Sequence, residues 1–327
     1  MKKIKWGIMG TGRIAGKFCD MLKALAREEA LEIYAVCSRD VNKAREFGER
    51  YDIPNCYGSY EELAQDPQVD LVYVATPVGC HYENIKLCLE AGRNVLCEKT
   101  FTEESGQARE LYDLAGSKGL FLMEAMWMKC HPVFRKVMEW RESGMLGELQ
   151  GVECKFYTKA DRNHRLYKNR NQGGVLYDLV LYPLTYACSL LGYEPARVSA
   201  AAAIGGDDID IMNSIQLFYG NGSFATLTGG LSPRRQTCLY IQGTRGRVLI
   251  DQEEFHSAQH VALTDWDNQV IEELDAPFLC NGYEYEALEA MECVRQGRTV
   301  SGLVPMEETI AMIRLMEECR HQWTQHK

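Results

Sequence analysis

Three groups of residues in this 327-residue chain have types and spacings suited to chemistry. The first is Glu98-Lys99, a carboxylate and an ammonium that end the apolar run Val95-Leu96-Cys97. A lysine just past the carboxyl end of a buried strand can be partly desolvated, which lowers its pKa and fits it for proton transfer. Taken alone, such a pair is more often a solvated and weak surface contact. The second group is Gly10-Thr11-Gly12-Arg13-Ile14-Ala15, a G-x-G-x-x-A turn after the strand pattern Lys3–Met9. Here Gly10 permits the turn, Gly12 lets backbone approach a pyrophosphate, and Ala15 keeps helix and strand close. The helix N-terminus then offers amide N–H groups to the anion. Cofactor contacts are expected from Gly10, Thr11, Gly12, Arg13 and Ile14. The third group is Asp178 and Tyr182, four apart in a helical pattern running from Val175 to Leu191. That spacing puts carboxylate and phenol on one helical face. In isolation it reads as core packing plus a surface acid.

These groups need elements to hold them. A second strand, Leu31–Cys37, ends in Ser38-Arg39-Asp40. An acid usually meets the ribose 2′-hydroxyl at this point, but here a hydroxyl and a guanidinium come first. Ser38 and Arg39 suit a 2′-phosphate, so NADP is expected in preference to NAD. Helices are expected over Val41–Tyr51 and Tyr60–Gln65, and strands over Leu71–Val74, Asn94–Cys97 and Leu120–Met123. Thr102 reads as an N-cap for the helix that follows Lys99. Strands and helices alternating in this way mean a doubly wound parallel sheet over residues 1–123.

The order and spacing of the glycine turn, Thr76-Pro77 with His81, Glu90-Ala91-Gly92-Arg93-Asn94-Val95 and Glu98-Lys99 resemble one family. It is the glucose–fructose oxidoreductase / inositol dehydrogenase (Gfo/Idh/MocA) family of NAD(P)-dependent enzymes. The resemblance covers nearly the whole chain and implies that Thr76, Pro77, His81, Glu98 and Lys99 belong to the cofactor site, with Lys99 also catalytic. Family members usually carry proline after Glu-Lys, whereas this chain has Thr100. Met123-Glu124-Ala125-Met126-Trp127, with His131-Pro132 behind it, is similar to the dihydrodiol dehydrogenase and NADP-dependent xylose dehydrogenase branch. This implies that Trp127 is a wall of the substrate pocket. Most of the family has histidine where this chain has Tyr182, and the dihydrodiol dehydrogenase branch has tyrosine. A phenol with an ordinary pKa near 10 is a poor acid/base alone. A nearby ammonium favours the phenolate, and Lys99 is the candidate for a coupled pair.

From Val198 onward, six consecutive strand patterns with Gly, Asn and Asp turns indicate a mostly antiparallel sheet. Residues 124–327 therefore read as an α+β substrate and dimerisation domain. Its last helix, 306–325, is expected to pack back on the first domain. The resemblance implies an open sheet face that pairs with a second subunit. The charged loop Tyr157–Gln172 is the expected source of specificity.

A net charge of −10 argues against nucleic acid as a partner, since phosphate contacts need clustered Lys and Arg. No apolar window is long enough for a membrane span, and no secretory signal is read at the N-terminus. Thirteen scattered cysteines without a C-x-x-C pair suit a reducing compartment, so a cytoplasmic protein is expected. His256 and His260 lie four apart but lack the glutamate and helical pattern of a zinc site, and no metal is expected. The sequence thus points to an NADP-preferring dehydrogenase acting on an aldose, cyclitol or dihydrodiol through Tyr182, Lys99 and Asp178. An NAD-retaining redox glycosidase and a non-catalytic NADP-binding sensor remain as alternatives.

Overall fold

In a parallel sheet covered on both faces, central strands are apolar throughout rather than alternating. The front half of this chain shows that pattern. The computed structural model describes residues 2–161, 165–168, 174–232, 234–251 and 254–324. In chain order the elements begin with β1 (Ile4–Met9), α1 (Arg13–Leu25), β2 (Leu31–Cys37), α2 (Val41–Tyr51), β3 (Asn55–Tyr57), α3 (Tyr60–Gln65), β4 (Leu71–Val74), α4 (His81–Glu90), β5 (Asn94–Glu98), α5 (Ser105–Lys118) and β6 (Leu122–Ala125). All four residues of β4 and of β6 are buried. Helix α1 buries Ala15, Phe18, Cys19, Met21, Leu22 and Leu25, with Phe18 stacked on Tyr73 of β4 at 3.8 Å.

The six strands run in the order β3-β2-β1-β4-β5-β6, every pairing parallel. That order reverses between β1 and β4, and in such sheets ligands bind beyond the strand ends at the reversal. The short strand β3 was not read from the sequence. Thr102 does not cap α5: its hydroxyl donates to the Glu104 carbonyl at 2.9 Å, and the helix starts only at Ser105.

The chain continues with α6 (Trp127–Cys130), α7 (Pro132–Glu142), β7 (Leu149–Lys159), a π-helical turn (Leu176–Val180), α8 (Leu181–Leu191), β8 (Arg197–Ile204), β9 (Asp210–Phe218), β10 (Phe224–Ser232), β11 (Gln236–Gly243), β12 (Arg247–Ile250), β13 (His260–Thr264), β14 (Val270–Asp275), α9 (Glu284–Gln296) and α10 (Met306–Thr324). The last eight strands form one sheet in the order β14-β13-β12-β11-β7-β10-β9-β8, antiparallel except for β7 with β10. Its strands alternate buried and exposed residues, as a sheet with one covered face must.

The chain forms two compact units, Met1–Cys130 with Phe278–Ile310 and His131–Pro277 with Ala311–Lys327. Helix α9 thus belongs with the parallel sheet, and α10 contributes to both units. No helix among the described residues is long and apolar enough to cross a membrane. None of the thirteen cysteines forms a disulfide.

Candidate active site

The first unit gathers the expected cofactor residues at the carboxyl ends of β1, β2, β4 and β5. Gly10 turns with φ of 112°, and a Cβ there would lie 2.9 Å from the Ala75 carbonyl oxygen after β4. Gly12 is the N-cap of α1, and a Cβ there would meet no protein atom within 4 Å. Such a bare backbone in front of free helix N–H groups is the cradle a pyrophosphate needs. Thr11 is half-buried, Arg13 is exposed and Ile14 is half-buried beside it. Past β2, the Ser38 hydroxyl accepts from the Asp40 N–H, and Asp40 caps α2 by accepting from Asn42 N–H at 3.0 Å. The Asp40 carboxylate is therefore committed to the helix. Arg39 is exposed, with its guanidinium charge near the Tyr60 phenol.

The loops after β4 and β5 are fastened by His81, which is only 1% exposed. Its Nε2 lies 2.8 Å from the Thr76 carbonyl oxygen, and its Nδ1 lies 2.9 Å from that of Thr100 and 3.3 Å from that of Phe101. Burial lowers its pKa against the pull of those carbonyls. Asn84 adds a bond to the Thr76 hydroxyl at 2.9 Å, and Pro77 is exposed. The Lys99–Thr100 peptide is cis.

Lys99 is half-buried, and three carboxyl groups lie buried in this unit near one another: Glu98, Glu124 and Glu286. The Tyr73 hydroxyl donates to Glu98. Glu124 accepts from Phe101 N–H at 3.2 Å and from the Thr309 hydroxyl at 3.1 Å. Burial pushes its carboxyl up to about 7, opposed by Thr309, Phe101 N–H and the ammonium groups of Lys129 and Lys99. Glu286, from α9, is fully buried with no hydrogen-bond partner on either oxygen. Burial, and then the charges of Glu98 and Glu124, raise its pKa well above the carboxylate range, which favours the neutral acid. Trp127 is buried and stacks on Tyr283 at 4.6 Å. Neither Glu286 nor Tyr283 carried a signal in the sequence beyond its residue type, and Glu124 stood out only as part of the motif that ends in Trp127.

Two family models match the chain: an oxidoreductase family with an NAD-binding Rossmann fold over residues 4–126, and the GFO/IDH/MocA C-terminal domain over residues 134–249. The chain belongs to the GFO/IDH/MocA family of oxidoreductases. Trans-1,2-dihydrobenzene-1,2-diol dehydrogenase of Mus musculus is 33% identical, covering 97% of this chain and 96% of its own. The NADP(+) D-xylose 1-dehydrogenase of Hypocrea jecorina is 34% identical, covering 98% and 92%. Among solved structures, a 3-ketoreductase from Actinomadura kijaniata in complex with NADP superposes with a TM-score of 0.83 at 26% identity, covering 98% of both chains. A levoglucosan dehydrogenase has a TM-score of 0.88 at 15% identity, covering 100% of this chain and 98% of its own, which is a likeness of fold.

In this family member, the second unit holds Asp178 and Tyr182. The expected single helix Val175–Leu191 is instead a π-turn followed by α8, with Asp178 in the turn and Tyr182 in the first turn of the helix. Pro183 accounts for the difference: it has no N–H for the Leu179 carbonyl, and its ring crowds that turn, so the ladder widens ahead of it. Tyr182 is 5% exposed and packs on Phe156 at 6.0 Å and His256 at 4.6 Å. His256 Nε2 lies 3.6 Å from Glu254, which pairs with Arg235 at 2.9 Å. His260, on β13, pairs instead with Asp275 at 2.8 Å. Among the described residues no group of three or more His, Cys, Asp or Glu side chains is arranged to hold a metal. Of the charged loop Tyr157–Gln172, residues 162–164 and 169–172 lie outside the described residues.

Replacing Gly12 by alanine should leave thermal stability unchanged and weaken NADPH binding about tenfold or more, measured by fluorescence titration. Glu124 makes a second prediction. Between pH 4.5 and 7 the folded protein keeps a proton that the unfolded chain has released, so this group's contribution to stability falls as pH rises through that window. The loss amounts to roughly 3 kcal/mol. Urea unfolding at pH 5 to 8 should show a flatter profile for Glu124→Gln by about that amount.

Proposed function

We propose that this protein is an NADP-preferring dehydrogenase of an aldose, cyclitol or dihydrodiol, with Lys99 and Tyr182 as its acid–base pair. The observation that carries the reaction class is the near full-length match, at about a third identity, to a diol dehydrogenase and a xylose dehydrogenase. The pyrophosphate cradle at Gly12 fits the cofactor those names imply, and Arg39 with Ser38 supports the 2′-phosphate form. Thr76, Pro77, His81 and Glu98 frame the nicotinamide end of the cofactor site. When bound, the nicotinamide accepts hydride for oxidation and donates it for reduction.

The chain's own residues handle the proton. Tyr182 takes it from the substrate hydroxyl in oxidation and returns it to the carbonyl oxygen in reduction. Lys99 stabilises the phenolate and hydrogen-bonds the same substrate oxygen. Asp178 accepts hydrogen bonds from substrate hydroxyls or orients the phenol, and Trp127 supplies an apolar wall. Thus the protein positions and protonates.

The test is a panel of sugars, cyclitols and diols with NADP and NAD in parallel, followed by absorbance of the reduced nicotinamide. Turnover should be faster with NADP. Tyr182→Phe and Lys99→Met should each lower kcat by ~10²–10⁴-fold with little change in cofactor affinity. Near-full activity in Tyr182→Phe removes the role given to that residue. Nucleotide retained through purification, with no net reduction, would point to the redox glycosidase instead.

The exposed face of the eight-stranded sheet supports a homodimer. It exposes the apolar side chains Met212, Phe224 and Leu249, at 45%, 43% and 53%, and Leu249 lines a groove with Lys155, Tyr240 and Arg247. Large apolar side chains exposed on one sheet face suit an interaction surface. Sedimentation at micromolar concentration should give twice the chain mass, and Leu249→Arg should halve it.

A further inference from the structure

We infer that Asp210 is a positioning residue that holds the backbone bearing Asp178 and Tyr182. The inference rests on the roles proposed for those two side chains. The first N–H groups of a helical segment have no partner within it and need one from outside. Val175 precedes the π-turn without a side-chain cap, and Gly174 before it has no side chain. Asp210, the first residue of β9, supplies the cap from a different element. Its Oδ2 accepts from Leu176 N–H at 2.8 Å and from Asn213 Nδ2 at 2.8 Å, and Val175 N–H also donates to the carboxylate.

Space and charge both point to a carboxylate here. Gly174 has φ of 109°, and a Cβ on it would lie 2.5 Å from Asp210 Oδ1, so the acid fits only against a residue without a side chain. The groups that meet Asp210 are N–H donors, and an asparagine would turn its own amide N–H toward one of them. Burial raises the pKa of Asp210, while these donated bonds pull it back down. The helix N-terminus adds a favourable partial charge.

The link from Asp210 to the reacting groups is continuous. The Leu176 peptide gives its N–H to Asp210, and its carbonyl accepts from Leu181 N–H, next to Tyr182. Asp178 sits two residues after Leu176 in the same turn. Asp210 makes these contacts through backbone alone, so losing it should misplace the phenol without removing a substrate contact. Misplacement of about 1 Å can cost ~100-fold in rate.

The experiment is a double-mutant cycle of Asp210→Asn with Tyr182→Phe on the full chain. It reads kcat and KM on the best substrate of the panel and NADPH affinity by fluorescence titration. Asp210→Asn should lower kcat ~10- to 100-fold, with NADPH affinity within about twofold of wild type. In the Tyr182→Phe background its fractional effect on kcat should be clearly smaller, because much of its action passes through that phenol and the rest through Asp178. A kcat within about twofold of wild type overturns the inference. So does the same fractional loss in both backgrounds, which is what a smaller fraction of folded enzyme would produce. Full activity of Tyr182→Phe alone removes the underlying role of the phenol, and shows in that variant before Asp210 is touched. Asp210→Ala is not needed if it fails to fold, since the isosteric asparagine keeps the packing.

Discussion

A single buried imidazole holds the loops on which the cofactor end of the first unit depends. His81 sits between the Thr76 carbonyl on one side and the Thr100 and Phe101 carbonyls on the other. A neutral imidazole carries one N–H, so the buried ring donates to a carbonyl of one loop and packs against that of the other. Through the first loop it steadies Ala75, whose carbonyl leaves Gly10 no room for a side chain. Through the second it holds the backbone directly after Lys99. The Rossmann turn and the backbone after the lysine thus pack on one buried ring.

Electrostatics around Lys99 follow from burial rather than from the Glu98-Lys99 pair alone. Three buried carboxyl groups share one region of low polarity, and they cannot all ionise cheaply. Tyr73 donates to Glu98. Burial pushes the Glu124 carboxyl up to about 7 and raises that of Glu286. Of these groups, Glu124 feels the Lys99 ammonium directly. Helix α9 supplies Glu286, which is why the return of residues 278–310 to the parallel-sheet unit matters for chemistry and not only for packing.

In the second unit, geometry is set by an exception to regular helix. Pro183 prevents an ordinary α-helical ladder, and the widened turn carries Asp178 and delivers Tyr182 into a cluster of Phe156 and His256 rings. Arg320 donates to the Tyr177 hydroxyl at 2.7 Å, and Asp210 binds the start of the turn. Widened turns occur often at functional sites because they re-aim side chains at little cost elsewhere.

Much of this fold could be read directly from residue order. Apolar runs marked β2 and β4 to the residue, and helical spacing marked α2 and α3. The glycine turn and Glu98-Lys99 lie at strand ends where a parallel sheet puts its ligands. These are local signals, because side-chain periodicity and glycine torsions act within a few residues. The short strand β3 and the strand β14 escaped the reading, since three or six residues with little apolar character leave no periodicity to detect. Only the tertiary structure decided that His81 ties two loops, that Glu286 joins Glu98 and Glu124, that His256 packs on Tyr182 and that Asp210 caps a turn from another element. In each case a polar or aromatic group takes whichever partner the folded topology brings to it. No local rule specifies a contact between residues so far apart in the chain.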